Sequence, residues 1–224
     1  MNKRNYAKEL EETAARCRSE GQTPRLLLHA CCAPCSSACL ELLREYFRVT
    51  VFYYNPNITG QAEYDFRKSE ELRLIAEYNR QVREQDFRGM QATEHAMLID
   101  TLEAPYDPEE YLSLVKGLED APEGGARCAK CFEMRLRKTA QYARDGGYDL
   151  FTTTLTISPL KNAALLNEIG EREGERAGVA FLPSDFKKKD GYRRSVELSN
   201  VYGLYRQNYC GCQFSRKAAE EKLL

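Results

Sequence analysis

Nine cysteines stand in this 224-residue chain, and most fall into three tight groups: Cys31, Cys32 and Cys35; Cys128 and Cys131 as a CxxC; and Cys210 and Cys212 as a CxC. In a reducing compartment, clustered thiols serve as metal ligands or redox groups more often than as structural staples, and an odd number argues against complete internal pairing. A CxxC that opens a helix directs two thiolates at one point, and the positive helix end with the adjacent Arg127 favours the ionised, metal-binding form. The competing reading is that the cysteines are small buried hydrophobes. That suits Cys17 and Cys39, which sit inside helical patterns, but CysCys and CysProCys turns have no core face for so many adjacent side chains. Zinc prefers two short-spaced pairs closing a tetrahedron. The adjacent Cys31-Cys32 pair suits polynuclear iron better, since neighbours can ligate different metal atoms of one cluster. Cys210-Gly211-Cys212 can complete a metal site, form a reversible dithiol or act as a structural turn. His29, just before the first group, is a proton or hydrogen-bond donor to a metal site or a satisfied buried histidine.

These groups need a scaffold, and the pattern supplies an alternation of strands and helices. Residues 1–20 read as a helix with Tyr6, Leu10 and Ala14 at helical spacing, broken by Gly21 and Pro24. Arg25–His29 reads as a buried strand, followed by the cysteine turn and a helix from about Ser37 to Tyr46. A strand at Val49–Tyr54 leads to a helix over Glu63–Asn79 with Phe66, Leu72, Ile75 and Ala76 on its apolar face. Further on, the pattern predicts a strand at Ala96–Ile99, a helix from Asp107 to Leu118, and a helix carrying the CxxC. A strand at Asp149–Thr156, a helix from Pro159 to Glu175, a short strand at Ala180–Leu182 and a last major helix over Arg194–Arg206 complete it. The fold class is therefore α/β, a mostly parallel sheet flanked by helices with its site at the carboxyl ends of the strands. Residues 1–22 are expected as an N-terminal helical extension and 23–224 as a single metal-binding α/β catalytic domain.

Apolar residues make up 42% of the chain and charged residues 30%, a soluble globular composition. No apolar run approaches a transmembrane length and the N-terminus lacks a signal-peptide apolar region, so a cytoplasmic address with no membrane partner is expected. A net charge of −1 leaves room only for a local nucleic-acid patch. The densest basic stretch carries Lys187, Lys188, Lys189, Arg193 and Arg194 with Phe186 and Tyr192 interleaved, as phosphate contact and base stacking require; its alternative is a solvated loop. Ser158 and Lys161, read as opening a helix, form a candidate anion site, and Asn55 a weaker candidate after the second strand.

LeuLeuLeuHisAlaCysCysAlaProCysSerSer at 26–37, ValPheTyrTyrAsnProAsnIle at 51–58, ArgCysAlaLysCysPheGluMetArgLeu at 127–136, ThrThrThrLeuThrIleSerProLeuLys at 152–161 and TyrArgGlnAsnTyrCysGlyCys at 205–212 together resemble the cobalamin-independent epoxyqueuosine reductases of the QueH family. The resemblance implies an adenine-nucleotide-hydrolase-like (HUP) domain holding a [4Fe–4S] cluster with an additional iron ion. It implies reduction of epoxyqueuosine to queuosine at the wobble position of tRNA, fed by an unidentified electron donor. Cys31, Cys32, Cys128 and Cys131 match the family's metal-binding cysteines. Cys35 falls where members place Cys or Asp to serve the extra iron, and is read with His29 as catalytic. Which thiol binds which iron is left open. The SerGlyGlyxAspSer pyrophosphate loop of such sheets is replaced by CysCysAlaProCysSer, which disfavours the nearest alternative, a tRNA sulfur transferase or ATP pyrophosphatase. A noncatalytic zinc-dependent RNA-binding protein is the alternative from another class.

Overall fold

The computed structural model describes residues 4–91 and 94–221. Five parallel strands form one sheet in the order β3-β2-β1-β4-β5. They are β1 (Arg25–Ala30), β2 (Arg48–Tyr53), β3 (Asp100–Glu103), β4 (Leu150–Thr153) and β5 (Ala180–Phe181). β1 and β2 read RLLLHA and RVTVFY, buried at every position but the first, as strands covered on both faces must be. The helices are α1 (Tyr6–Ser19), α2 (Ala33–Leu43), α3 (Gln61–Glu84), α4 (Pro108–Leu114), α5 (Ala126–Asp145), α6 (Ala163–Ala177), α7 (Gly191–Val201) and α8 (Gln213–Glu221). One core face gathers Leu26, Leu28, Leu40, Val49, Val51 and Leu74. The other gathers Leu27, Phe52, Leu136, Phe151 and Leu166. Leu10 and Cys17 of α1 belong to the first of these clusters. No helix among the described residues is long and apolar enough to cross a membrane.

Several boundaries differ from the sequence pattern, each for a local reason. The strand expected at Ala96–Ile99 begins at Asp100. Both backbone groups of Ile99 are taken instead by the Asn79 side chain, whose Nδ2 donates to Ile99 O and whose Oδ1 accepts from Ile99 N, each at 2.8 Å. In α3 the buried face is Tyr64, Arg67, Glu71, Leu74, Ile75 and Tyr78, while Phe66, Leu72 and Ala76 point outward. The apolar count missed that face because two of its members are charged. Asn162, not Pro159, starts α6, its Oδ1 accepting from Leu165 N, so Ser158 and Lys161 lie in the loop after β4. Residues 154–157 form one 3₁₀ turn. The last major helix stops at Val201, where Gly203 (φ 56°) turns the chain and Leu204 N bonds back to Ser199 O at 2.8 Å. A separate helix, α8, follows the CxC.

Strand order reverses at β1, from which the chain runs first to β2 and β3 and later to β4 and β5. The crevice between the carboxyl ends of β1 and β4 is thus the switch point at which open α/β sheets place ligands.

Candidate metal and substrate site

The first cysteine group sits at that switch point. Cys32 ends the loop in extended backbone (φ −174°, ψ 155°), and Pro34, in the first turn, launches α2. The turn folds the three thiols inward, so that the sulfurs of Cys31, Cys32 and Cys35 all lie within 4.8 Å of one another, with Cys31 and Cys32 Sγ 3.7 Å apart. Hydrogen bonds from Cys32 and Cys35, helped by the charges of Lys161 and Arg135, hold the Cys31 thiol well below the usual range. The same bonds push the donors up, Cys32 to about 12.

The CxxC enters from α5, where Gly124 N donates to Cys128 Sγ at 3.2 Å. Arg127 spends its guanidinium on the carbonyls of Leu118 and Glu119, at 3.3 and 2.6 Å. It lowers Cys128 only slightly; burial dominates and raises that thiol, and burial pushes Cys131 to about 12. Cys131 packs with Cys212, Tyr111, Val115 and Met134. The CxC turn is held from the other side: Arg67, 2% exposed, donates from Nη1 to Cys210 O at 3.1 Å while paired with Glu63 at 2.6 Å. Cys212 accepts from Ser215 N at the start of α8, at 3.4 Å.

Arg135, one turn after Cys131, carries no sequence signal beyond that spacing, yet it ties the groups together. It is 1% exposed, donates from Nε to His29 Nε2 at 3.1 Å and from Nη2 to Asn55 Oδ1 at 2.6 Å, and faces the Cys131 thiol. His29 Nε2 lies 3.1 Å both from Arg135 Nε, which only donates, and from Tyr54 O, which only accepts, while Nδ1 meets Thr153 Oγ1, a hydroxyl able to serve either tautomer, at 2.9 Å. Burial and then Arg135 lower His29 to about 3, so the imidazole is neutral. It lies beneath the cavity, and Asn55 is bound on its other side to Ala30 O. Lys161 reaches in from the loop after β4. Burial would lower its pKa, but the thiols of Cys210, Cys31 and Cys35 outweigh burial and raise it.

Over these groups opens a cavity of about 300 Å³ lined by Cys31, Cys35, Cys210, Arg135, Lys161 and Asn57 among others. Tyr192, Arg206 and Tyr209 stand around it. Arg206 is exposed and donates to Ser199 Oγ at 3.1 Å.

The basic stretch lies on and before α7, and much of its charge is matched within the chain. Lys187 pairs with Asp185 at 2.6 Å, Lys189 with Glu11, and Arg193 with Asp190 and Glu197 at 3.6 and 3.4 Å. Arg194 is half-buried on Glu41 at 2.6 Å and also donates to Gly89 O. Lys188 is exposed.

Residues 26–218 match the sequence model of the family described as epoxyqueuosine reductase QueH. Similar proteins include the epoxyqueuosine reductases QueH of Staphylococcus epidermidis (40% identical, covering 94% of this chain and 84% of the relative) and of Streptococcus pyogenes (41%, 95% and 78%). That of Thermotoga maritima is 36% identical, covering 88% and 93%.

Proposed function

Because this chain belongs to the epoxyqueuosine reductase QueH family, we propose that it deoxygenates the epoxide of epoxyqueuosine in tRNA, using an iron–sulfur cluster and an adjacent iron held by Cys31, Cys32, Cys35, Cys128 and Cys131. The observation that carries the reading is the triad of sulfurs within 4.8 Å, two of which, Cys31 and Cys35, line a cavity at the sheet's switch point. The donor set fits: these five residues are all soft thiols, and the buried Arg135 and half-buried Lys161 offset the negative charge of ligated thiolates. Such a cluster supplies single electrons, and an iron with an open position supplies a Lewis acid.

Deoxygenation breaks both C–O bonds of the epoxide, consumes two electrons and two protons, and releases water and the alkene. The chain contributes positioning and charge. Lys161 and Arg135 place positive charge where negative charge develops on the departing oxygen. Leu155 and Ile157 give the cavity an apolar wall, which keeps bulk water from the reacting bonds. His29 acts through Arg135, fixing the guanidinium from below. Cys35 is the thiol of the first group assigned to the extra iron, and Cys210 with Cys212 is read as a redox dithiol beside it. Tyr192 and Arg206 at the mouth receive the anticodon loop, with Lys187, Lys188, Lys189 and Arg193 along the adjoining flank; the exposed ion pairs of that flank are weak enough to be exchanged for phosphate. Arg194 braces α7 against α2.

The test is conversion. Anaerobic, iron-loaded protein with an artificial low-potential donor and tRNA bearing epoxyqueuosine should yield a nucleoside lighter by one oxygen, read by mass spectrometry of the digested tRNA, without cobalamin or ATP. No conversion by loaded protein with a competent donor overturns the reading.

A further inference from the structure

Two amide oxygens in the site have no partner. Asn57 is 2% exposed and lines the cavity beside Cys31 and Cys35, yet its Oδ1 accepts no hydrogen bond. Gln207, on the loop between α7 and α8, lines the same cavity. Its Nε2 donates to Cys32 Sγ at 3.0 Å, which leaves its buried Oε1 without a donor. The neighbouring Asn55 shows what a structural amide looks like here, since both its ends are used, on Ala30 O and Arg135. A buried acceptor left open is costly and uncommon in native proteins, and two of them on residues from different segments that line one cavity mark a place where a ligand's donors belong.

Several other polar groups of the cavity are complementary to this. Arg67, Arg135, Lys161 and Arg206 only donate, Asn55 is satisfied, and Glu123 is exposed at the rim. A ligand there finds donors for its oxygens from the cations, and acceptors for its own hydroxyl protons from Asn57 and Gln207. The part of the modified base that must reach the thiols is its epoxide-bearing ring, which carries two hydroxyls.

Resting on the proposed function, we infer that Asn57 and Gln207 are specificity-determining residues, whose amide oxygens accept hydrogen bonds from the hydroxyls of the dihydroxycyclopentane epoxide. A site that accepts a substrate hydroxyl discriminates strongly against an analogue lacking it, because the acceptor is then buried unpaired.

The test compares binding of two tRNAs to iron-loaded protein without reductant. One carries epoxyqueuosine at the wobble position; the other carries 7-aminomethyl-7-deazaguanine there, which keeps the base and lacks the hydroxylated ring. Wild-type protein should prefer the first. Asn57→Leu and Gln207→Leu should each shrink that preference about tenfold, at equal iron content and with affinity for the second tRNA unchanged. Asn57→Asp, which keeps an acceptor, should retain most of it. If Asn57→Leu does not fold, Gln207→Leu, on a half-exposed loop, decides alone. Preference retained in the leucine variants overturns this inference and leaves the proposed function standing. A wild-type protein that does not distinguish the two tRNAs also overturns this inference, whereas failure of the conversion test is what overturns the proposed function.

Discussion

Arg135 donates from Nε to Nε2 of His29 at 3.1 Å, in a position where both side chains are sealed from solvent. The contact makes a strand residue of β1 the seat for a helix residue of α5. It also brings the cation of Arg135 between the two halves of the cysteine constellation. Replacing Arg135 with Met should leave Asn55 Oδ1 as a buried acceptor without this donor, while His29 Nε2 keeps Tyr54 O as its partner. For one such acceptor the expected loss is about 1–3 kcal/mol in denaturant unfolding, with lower iron retention. A loss below about 1 kcal/mol would show that the guanidinium is not the seat of this packing.

The thiols divide by what they are expected to hold. Cys128→Ala and Cys131→Ala should sharply lower both iron and acid-labile sulfide in anaerobically prepared protein. Cys35→Ala should retain cluster absorbance while losing activity and the extra iron. Cys17→Ala, whose thiol lies in the apolar core, is the control and should leave metal content unchanged. Stoichiometric zinc without sulfide in the wild type would defeat the iron–sulfur assignment.

Glu71 is a buried carboxyl with neither oxygen hydrogen-bonded, packed near Ser36 under the cysteine turn. Burial raises it from 4.5 to about 8. Between those values the unfolded chain has released the proton and the folded chain has not, so folding stability falls as pH rises; above about 8 both states are ionised and the loss stops growing. At about 1.4 kcal/mol per pH unit the span amounts to a cost on the order of 5 kcal/mol. Glu71→Gln should therefore be more stable than wild type at pH 8 and indistinguishable from it toward pH 4.5, by urea unfolding. An equal difference at both pH values would refute the shift.

Much of this was legible in the sequence, and the parts that were not share a cause. β1, β2 and the cysteine turn are strings of apolar residues ending in a run of thiols, so pattern and chemistry coincide there. The inward face of α3 was misread because Arg67 and Glu71 are buried for reasons that hydrophobic periodicity cannot register: one holds the CxC turn by its carbonyl, the other sits under the first cysteines. Arg135 was invisible for the same reason, as a charged residue on an otherwise ordinary amphipathic helix. Asn57 lay inside a quoted motif, but its Asn-Pro-Asn context signals a turn equally well, and only the contrast with the fully bonded Asn55 separates them. The basic stretch was visible as charge, whereas its distant partners Glu11 and Glu41 are brought to it by the fold.

That pairing changes what the basic residues are expected to do. tRNA affinity should fall linearly as salt rises on logarithmic axes, and replacing Lys188, Arg193 and Arg206 together should reduce the slope by about 2–3, near one per lost phosphate contact. Arg194→Ala should instead lower stability, since it leaves the buried Glu41 carboxylate without its main cation. An unchanged slope in the triple variant would place the tRNA surface elsewhere.

Gly211, between the two cysteines of the CxC, has φ 128°, in a region of backbone space that side chains rarely occupy. A Cβ there would lie 2.9 Å from Ile58 Cγ1 and 3.3 Å from Arg67 Nη1, and Arg67 is the residue that holds Cys210 O. An alanine therefore faces strain from the dihedral, a clash with a buried side chain, and displacement of the guanidinium that fixes the turn. Gly211→Ala should cost on the order of 1–3 kcal/mol and reduce turnover further than that loss alone explains, because Cys210 moves off Lys161 while Cys31, Cys32 and Cys35 stay in place. Adding Ile58→Ala should relieve the clash without relaxing the dihedral, restoring part of the stability but not the rate. Iron and sulfide content in the single variant locates the damage: metal retained with turnover lost assigns the turn to the reaction, and metal lost in proportion to turnover assigns it to holding the cluster. Wild-type turnover in Gly211→Ala would show that the turn need not be held where Arg67 holds it.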